Sequence, residues 1–467
     1  MDLDPLLLSR IQFAFVVSFH AIFPVFTIGL ASYIAVLEAI AYKTGNPVYE
    51  KLSQFWIKIF AIVFGMGVVS GIVMAFQFGT NWSNFAYSAA NFLGPVLSYE
   101  VVTAFFLEAT FLGVLLFGRD KVPAGLHLFS ACMVALGTFI SSFWILAANS
   151  WMHTPAGVEF TEGMMQVTSW SQAIFNSSLP YRFAHMALAS FITGGFVVAG
   201  VIAWYLLKGR NPRSSRKALR MCVVLLALAT PMQLLVGDLH GLNTFENQPI
   251  KVAAMEGHWE TQTGAPLILF AIPDSENETN HFEIAIPYLG SLILTHSLDG
   301  EVHGLKSVAP EDRPPVGPVF WSFRIMVGLG MIFIAVALFA AWQLWRGRLF
   351  ESRRLLSILP WMIPLPFVAV LAGWFTTEIG RQPWIIQGVL RASEGLTPSL
   401  TGPMALTTLI GYIVVYAIIF SAGLLYLRRV IQVGLDPIEQ ADEDGDAHPK
   451  RPWSAVSAQV ADAPEPF

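Results

Sequence analysis

Long apolar runs dominate this sequence, and each is about as long as the hydrocarbon core of a bilayer is thick. A helix needs about 20 apolar residues to cross that core. Nine runs meet this length, at 11–40, 53–77, 95–117, 125–148, 183–207, 218–237, 317–344, 356–377 and 404–427. Only 13% of the residues are charged, about half the fraction in a soluble domain. We therefore predict an all-α integral membrane protein with about nine transmembrane helices.

The distribution of lysine and arginine predicts the orientation of the bundle. Nineteen of the 27 fall on one side of the predicted membrane, in the segments 43–58, 119–121, 208–220, 346–354 and 428–451. Cytoplasmic loops carry such an excess of positive charge. Nine spans then place the N-terminus outside and the C-terminus in the cytoplasm. The net charge of −5 gives no footprint for nucleic-acid binding.

Polar segments divide the chain into four parts. Residues 1–237 are predicted to hold helices one to six, and residues 317–429 helices seven to nine. The segment 238–316 between them is the longest connection and lies outside, and loops of this length are usually functional or disordered. The tail 430–467 is rich in alanine, aspartate and proline, so we predict a disordered cytoplasmic segment.

Four possible metal ligands share one depth in the predicted helices. His185, Met326, His20 and Glu378 all fall in the outer half of the bilayer or at its outer face. A histidine nitrogen and a methionine sulfur form the axial pair of some low-spin haems. A lone membrane histidine usually bonds a neighbouring helix, as we expect for His127, and a lone methionine is usually packing. It is the shared depth that favours the ligand interpretation.

Two carboxylates occupy the third predicted helix. Glu100 and Glu108 are eight residues apart, which is about 12 Å of rise and about 80° of rotation in an α-helix. Carboxylates inside a membrane are costly and often serve as proton relays. Their position predicts a proton path from mid-membrane toward the outer half. The alternative is a pair of structural hydrogen bonds.

Charged residues at the outer face complete the set of candidates. The segment 373–384 combines Glu378 with Arg381 and two tryptophans, and the arginine fork suits a haem propionate. In the external loop, Lys251 and Glu256 lie close together in sequence. Charged loop residues are usually solvated, but beside a haem these two become candidates for binding a quinol and accepting its protons.

Several motifs together carry a family resemblance. They are SRIQFAFVVSFH, FQFGTNWS, LSYEVVTAFFLEATF, WILAANSWM, FRIMVG and GWFTTEIGRQPW, spread from Ser9 to Trp384. With them the chain resembles subunit I of the cytochrome bd quinol oxidases over nearly its whole length except the tail. The short segment between Glu283 and Met326 is similar to the short-loop, cyanide-insensitive branch. The resemblance implies a multi-pass protein of the bacterial inner membrane, with the N-terminus periplasmic.

The resemblance also implies roles for individual residues. His185 and Met326 would ligate a low-spin haem b, His20 the iron of haem d, and Glu378 a high-spin haem b. Other haem-site residues would be Arg324, Trp374 and Arg381. Lys251 and Glu256 match quinol-site residues of the external loop. The proton path would include Glu108, Glu100 and Ser141.

The implied activity is quinol oxidation at the periplasmic side coupled to reduction of O2 to water with cytoplasmic protons. This would generate a proton motive force without a pump. The implied partners are a second membrane subunit and, in some members, small single-helix subunits. Haem–copper oxidases are less compatible, because only His20, His127 and His185 fall in predicted helices. A proton-coupled transporter is the other alternative, and it predicts an internal repeat and helices interrupted near the midplane.

Overall fold

The computed structural model describes residues 3–161 and 163–435. In the first part of the chain, a π-helical stretch (Val101–Phe105) joins two helices end to end. The elements there are α1 (Pro5–Thr44), α2 (Pro47–Thr80), α3 (Ser83–Ser88), α4 (Ala90–Glu100), α5 (Phe106–Phe117), α6 (Ala124–His153), β1 (Val158–Thr161), β2 (Met164–Val167) and α7 (Trp170–Ile174).

The second part contains the longest folded connection. Its elements are α8 (Leu179–Leu207), α9 (Pro212–Asn247), α10 (Pro249–Glu256), β3 (Gln262–Thr263), β4 (Leu267–Asp274), β5 (Thr279–Ile286), α11 (Leu289–Thr295), β6 (Glu301–Val302), α12 (Val316–Trp345), α13 (Arg353–Ile358), α14 (Leu365–Ile379), β7 (Trp384–Ile386), β8 (Leu390–Arg391) and α15 (Gly402–Val433). The strands form two-stranded antiparallel pairs, β1 with β2, β3 with β6, β4 with β5 and β7 with β8.

The predicted membrane bundle is confirmed. Among the described residues, eight helical segments are long and apolar enough to cross a membrane, and a ninth span is possible as a bent pair. That pair combines Arg353–Met362 with Leu365–Ile379, and its two parts are inclined by 41°. The sequence predicted a single run at 356–377, but Pro360, Pro364 and Pro366 each remove a backbone N–H donor there. The helix is interrupted for that reason.

The external segment 238–316 is folded. Helix α9 continues to Asn247, ten residues beyond its predicted end, and α10 follows after Gln248. The hairpin of β4 and β5 comes next, and both α10 and β4 pack on α12. At the other end of the chain, α15 runs to Val433, so the first residues of the predicted tail are helical. Residues 436–467, where we predicted disorder, lie outside the described residues.

Helix α8 lies at the centre of the bundle because its small residues let other helices approach closely. A Cβ added at Gly29 of α1 would lie 2.1 Å from the carbonyl oxygen of Ser190 in α8. On another side of α8, a Cβ at Gly200 would lie 2.4 Å from the side chain of Ile363. Small residues at helix contacts are the usual means of tight packing in membranes, where lipid is as apolar as leucine.

The contact between α1 and α8 leads to a prediction about stability. Gly29→Ala places a methyl group against the Ser190 carbonyl, so we expect destabilisation by about 1–3 kcal/mol, as for other overpacked sites. Gly113→Ala is the matched control, because a Cβ there meets nothing within 4 Å. Thermal unfolding of the purified protein in detergent measures both. Equal melting temperatures for the two variants would contradict this account of the helix crossing.

Candidate functional site

Two helix contacts give a common depth for the candidate ligands. His20 precedes Gly29 by nine residues, and His185 precedes Gly194 by nine. Gly29 and Gly194 face each other where α1 crosses α8. Each histidine therefore lies about 13 Å from this crossing, on the side of the helix N-termini.

Met326 lies at a similar level. The rings of Phe26 in α1 and Phe367 in α14 are 6.2 Å apart. Gly373 follows Phe367 by six residues, as many as separate Phe26 from His20. A Cβ added at Gly373 would lie 2.9 Å from the sulfur of Met326, so the two residues face each other.

His20 is held with one ring nitrogen available. Its Nδ1 lies 2.9 Å from the hydroxyl of Ser70, which is itself fully buried and donates to the carbonyl oxygen of Gly67. A serine hydroxyl has one proton to donate, so toward His20 it must accept. The hydrogen of His20 is thereby assigned to Nδ1, and Nε2 carries the lone pair. Metal-binding histidines are typically oriented in this way.

His185 and Met326 lie on different helices that both pack against α9. The Nδ1 atom of His185 is buried and has no hydrogen-bond partner among the described residues. Its ring centre is 5.4 Å from that of His240. A Cβ at Gly237 would come within 3.4 Å of the His185 ring. A bound haem needs a ligand atom that is not used elsewhere and space beside each ligand. The buried Nδ1 of His185 and the glycines that face His185 and Met326 fit these two needs.

Glu378 sits in a network of charged and polar side chains near the end of α14. Its Oε1 accepts from Asn149 at 2.8 Å and lies 3.3 Å from Nε2 of His153. Its Oε2 is paired with Arg381. Arg182, in turn, donates to Asn149 at 3.2 Å. Because a carboxylate offers about four acceptor positions, these contacts leave room for one more bond at Glu378.

Lys251 joins this network from the external segment. Its Nζ lies 3.0 Å from Nδ1 of His153 and donates to Gln248 at 2.6 Å. The residue is only 4% exposed. Burial, with Arg182 as the next cause, holds the pKa of Lys251 well below its usual range. A lysine donating to Nδ1 places the His153 hydrogen on Nε2, where it donates to Glu378, so one tautomer serves both contacts.

Glu256 has a different partner. It forms an ion pair with Arg324 at 2.8 Å, and Arg324 also donates to the backbone carbonyls of Ile268 and Met255. The guanidinium stands 4.5 Å from the ring centre of Phe320. Arg324 is two residues from Met326, so this pair connects the external segment to the helix that carries Met326.

Lys251 and Glu256 therefore do not form one paired site. They share α10 but are five residues apart, so their side chains leave the helix about 140° apart. Lys251 points to His153, and Glu256 points to Arg324. Arg381 binds Glu378 and the carbonyl oxygen of Ile385, and its predicted pairing with a haem propionate stays a prediction. Trp374 is half-buried and packs beside Leu146 and its neighbours.

Glu100 and Glu108 both face α6. Ser141 of α6 donates to Glu100 at 2.7 Å. One turn away, a Cβ added at Gly137 would lie 2.5 Å from Cγ of Glu108. The predicted rotation of about 80° is wrong, because Val101–Phe105 between the two carboxylates is π-helical. A π-turn rotates less per residue than an α-turn, and such turns are frequent at functional sites.

The structural interpretation of His127 is confirmed. Its Nδ1 lies 3.1 Å from Glu38 of α1, and Arg119 and Ser53 bind the same carboxylate. His127 thus links α6 to α1 by a hydrogen bond, at the opposite end of the bundle from Glu378. A buried carboxylate with three partners is well compensated for the loss of water.

Several residues of the site were not predicted from the sequence. His153 ends α6 and His240 lies in the extended part of α9, so the statement that helices hold only three histidines is wrong. Asn149 lies inside the quoted motif WILAANSWM and Arg182 is one turn from His185. An arginine at the edge of an apolar run, one turn from a predicted haem ligand, was the sequence signal that could have indicated Arg182.

The comparisons with known proteins agree with this geometry. Residues 8–435 match the family model for cytochrome bd terminal oxidase subunit I. The chain belongs to this family. The match favours the bd oxidase interpretation over the two alternatives, a proton-coupled transporter and a haem–copper oxidase. With its apolar helices, this membership also makes the chain a multi-pass protein of the bacterial inner membrane.

Individual relatives cover almost the whole chain. Cytochrome bd-II ubiquinol oxidase subunit 1 of Escherichia coli (strain K12) is 34% identical over 499 residues, covering 92% of this chain and 97% of the relative. Cytochrome bd ubiquinol oxidase subunit 1 of Bacillus subtilis (strain 168) is 36% identical over 445 residues, covering 93% and 95%. The solved bd oxidase from Geobacillus thermodenitrificans is 31% identical with a TM-score of 0.86, covering 92% of this chain and 99% of that one.

Proposed function

We propose that this chain is the haem-carrying subunit of a quinol oxidase in which the external segment delivers electrons and the bundle reduces O2. The observation that carries the proposal is the continuous set of contacts from Lys251 through His153 to Glu378. A quinol bound at α10 would meet a buried base that is already connected to a candidate haem ligand. Relatives over almost the full length are named ubiquinol oxidases.

The residues fit three haems, which when bound would supply the electron carriers and the iron that binds O2. His185 and Met326 would hold low-spin haem b, because each faces a glycine and the buried Nδ1 of His185 has no hydrogen-bond partner among the described residues. His20 would hold haem d through Nε2, since Ser70 occupies Nδ1. Glu378 would hold high-spin haem b, since its hydrogen-bond partners leave one acceptor position.

Proton chemistry would be divided between the two ends of the bundle. Lys251 and Glu256 would receive protons from quinol on the side of the external segment. Glu108 and Glu100 would pass protons toward the haem ligands from the opposite side. The excess of lysine and arginine on that opposite side supports its assignment to the cytoplasm. Charge would then separate across the membrane without a pump, with a second membrane subunit completing the complex and small single-helix subunits joining it in some members.

Lys251→Met tests the quinol site. A neutral Lys251 amine can accept a proton. Because the pKa of this lysine is lowered, the neutral amine is populated at pH values below those at which lysine ordinarily loses its proton. The rate of quinol-driven O2 consumption should therefore rise as the pH passes upward through the lowered pKa of Lys251. The Lys251→Met variant should show no such pH dependence, and its rate should be at least about 100-fold lower. Glu256→Gln should also slow quinol oxidation.

An artificial electron donor that bypasses the quinol site provides the necessary comparison. Oxygen consumption with this donor should survive in Lys251→Met. Lys306→Met is the matched control, because Lys306 lies in the same external segment but is exposed and pairs with Glu260. Equal loss with both donors would assign Lys251 to oxygen chemistry or to structure.

Met326→Leu tests the low-spin pair. The two side chains have similar volumes, so stability should fall by less than about 1.5 kcal/mol. The low-spin signature should disappear from the reduced absorption spectrum, because leucine has no donor atom. Met331→Leu is the control, since Met331 lies on the same helix and is half exposed. An unchanged low-spin spectrum in Met326→Leu would remove Met326 from the pair.

Glu108→Gln tests the proton path. The amide keeps the shape of the carboxylate but cannot exchange a proton in the same way, so O2 reduction and charge movement in proteoliposomes should slow about 100-fold. Quinol should still reduce the low-spin haem. A purely structural role predicts instead a lower melting temperature or lost haem, with normal proton-coupled charge movement in the protein that remains.

A further inference from the structure

A cationic pocket lies at the end of the bundle opposite the external segment. Its cavity has a volume of about 290 Å³ and is lined by the start of α9 and the turn after α12, namely Arg216, Lys217, Arg220, Leu344, Leu349 and Phe350, with Gly347 at its edge. None of the lining residues is one to which we have given a role in quinol or oxygen chemistry.

The turn after α12 shapes the pocket. Gly347 has a φ of +71°, a left-handed conformation that ends the helix at little cost for glycine. The chain then folds back, and Leu349 is buried in the bundle core. Phe350 follows and packs against α9. The ring is thereby fixed beside the basic residues.

Among the described residues, aromatic rings rather than carboxylates lie next to the cations of this pocket. Arg216 and Arg220 stand 5.4 Å and 6.0 Å from the ring centre of Phe350, and Lys217 stands 4.8 Å from that of Tyr49. In the part of the chain that the structure describes, none of the three forms an ion pair with a carboxylate. Aromatic rings orient the cations without neutralising them. The pocket therefore presents net positive charge to whatever enters it.

The surface below the arginines is apolar and exposed. Val224 and Leu228 continue the four-residue spacing of Arg216 and Arg220 along α9, so all four lie on one face. Val224 is 49% exposed and Leu228 is 64% exposed. Trp342 and Trp345 are exposed near the end of α12, and exposed tryptophans mark the depth of lipid headgroups. A ligand bound here would contact the cations at headgroup depth. Beneath them it would contact an apolar ridge formed by Val224 and Leu228.

We propose that this pocket binds the phosphodiester of an anionic phospholipid, whose acyl chains lie along the exposed face of α9. Arginine forks suit phosphate oxygens, and basic pockets between membrane helices on the cytoplasmic side are suited to anionic headgroups. The apolar ridge favours a lipid over a free phosphate ion, which would use the cations alone. By holding the ends of α9 and α12 together, the lipid stabilises the helix that carries Met326 and the helix that packs against it and against α8, which carries His185.

The test uses the purified oxidase complex in phosphatidylcholine nanodiscs with increasing fractions of phosphatidylglycerol. Phosphatidylglycerol should raise the melting temperature of the wild type, and native mass spectrometry should show it retained in preference to phosphatidylcholine. In the double variant Arg216→Gln/Arg220→Gln, apparent affinity should fall about thirtyfold, from two lost cations near the surface. Arg428→Gln/Arg429→Gln is the matched control, because both arginines are exposed at the end of α15.

Two further measurements separate the sources of phosphate and guard against misfolding. Inorganic phosphate should produce no shift; a shift as large as that of the lipid would overturn the lipid assignment in favour of a free anion. A photoactivatable phosphatidylglycerol should crosslink wild-type peptides that contain residues 216–228 or 342–350, which requires no variant. Crosslinking elsewhere, or equal lipid affinity in the double variant and the wild type, would overturn the proposal.

Discussion

The buried network around Glu378 is the constraint on which the end of the bundle nearest the segment 238–316 depends. Removing a charge from water costs several kcal/mol per ion, and only close partners offset this. Here Glu378 is offset by Arg381, His153 and Asn149, and Lys251 depends on His153 and Gln248. These residues come from α6, from α14 and the turn after it, and from α10 and the residue before it. Each helix is therefore held in position by hydrogen-bond and charge partners that the others contribute.

This network explains why a segment outside the membrane is ordered. A short helix such as α10 is not stable by itself in water. It is fixed because Lys251 enters the bundle on one side and Glu256 binds Arg324 on the other. The stem of Lys251 passes close to Gly380, where a Cβ would lie 2.9 Å from its Cγ. The external segment is thus anchored at two points that lie beside the candidate haem ligands.

The sequence predicted what hydropathy and depth control, and it missed what side-chain direction controls. Run lengths gave the spans, and position within each run gave the common level of His20, His185 and Met326. The hydrogen bond of His127 was predicted from its position inside a membrane helix. By contrast, His153 ends a helix at a polar turn, so its sequence context resembles a loop. Lys251 and Glu256 point in different directions because α10 is helical. Glu100 and Glu108 face the same helix because of a π-turn, which no pattern in the sequence predicted.

The two ends of the bundle use charge in different ways. Near Glu378 each buried cation lies next to a carboxylate or an acceptor, because a dry site tolerates charge only when it is compensated. At the other end, Arg216, Lys217 and Arg220 lie at the surface without carboxylate partners among the described residues, because water and lipid headgroups can solvate them there. The paired network suits chemistry inside the protein, and cations without described carboxylate partners suit the binding of an anionic headgroup.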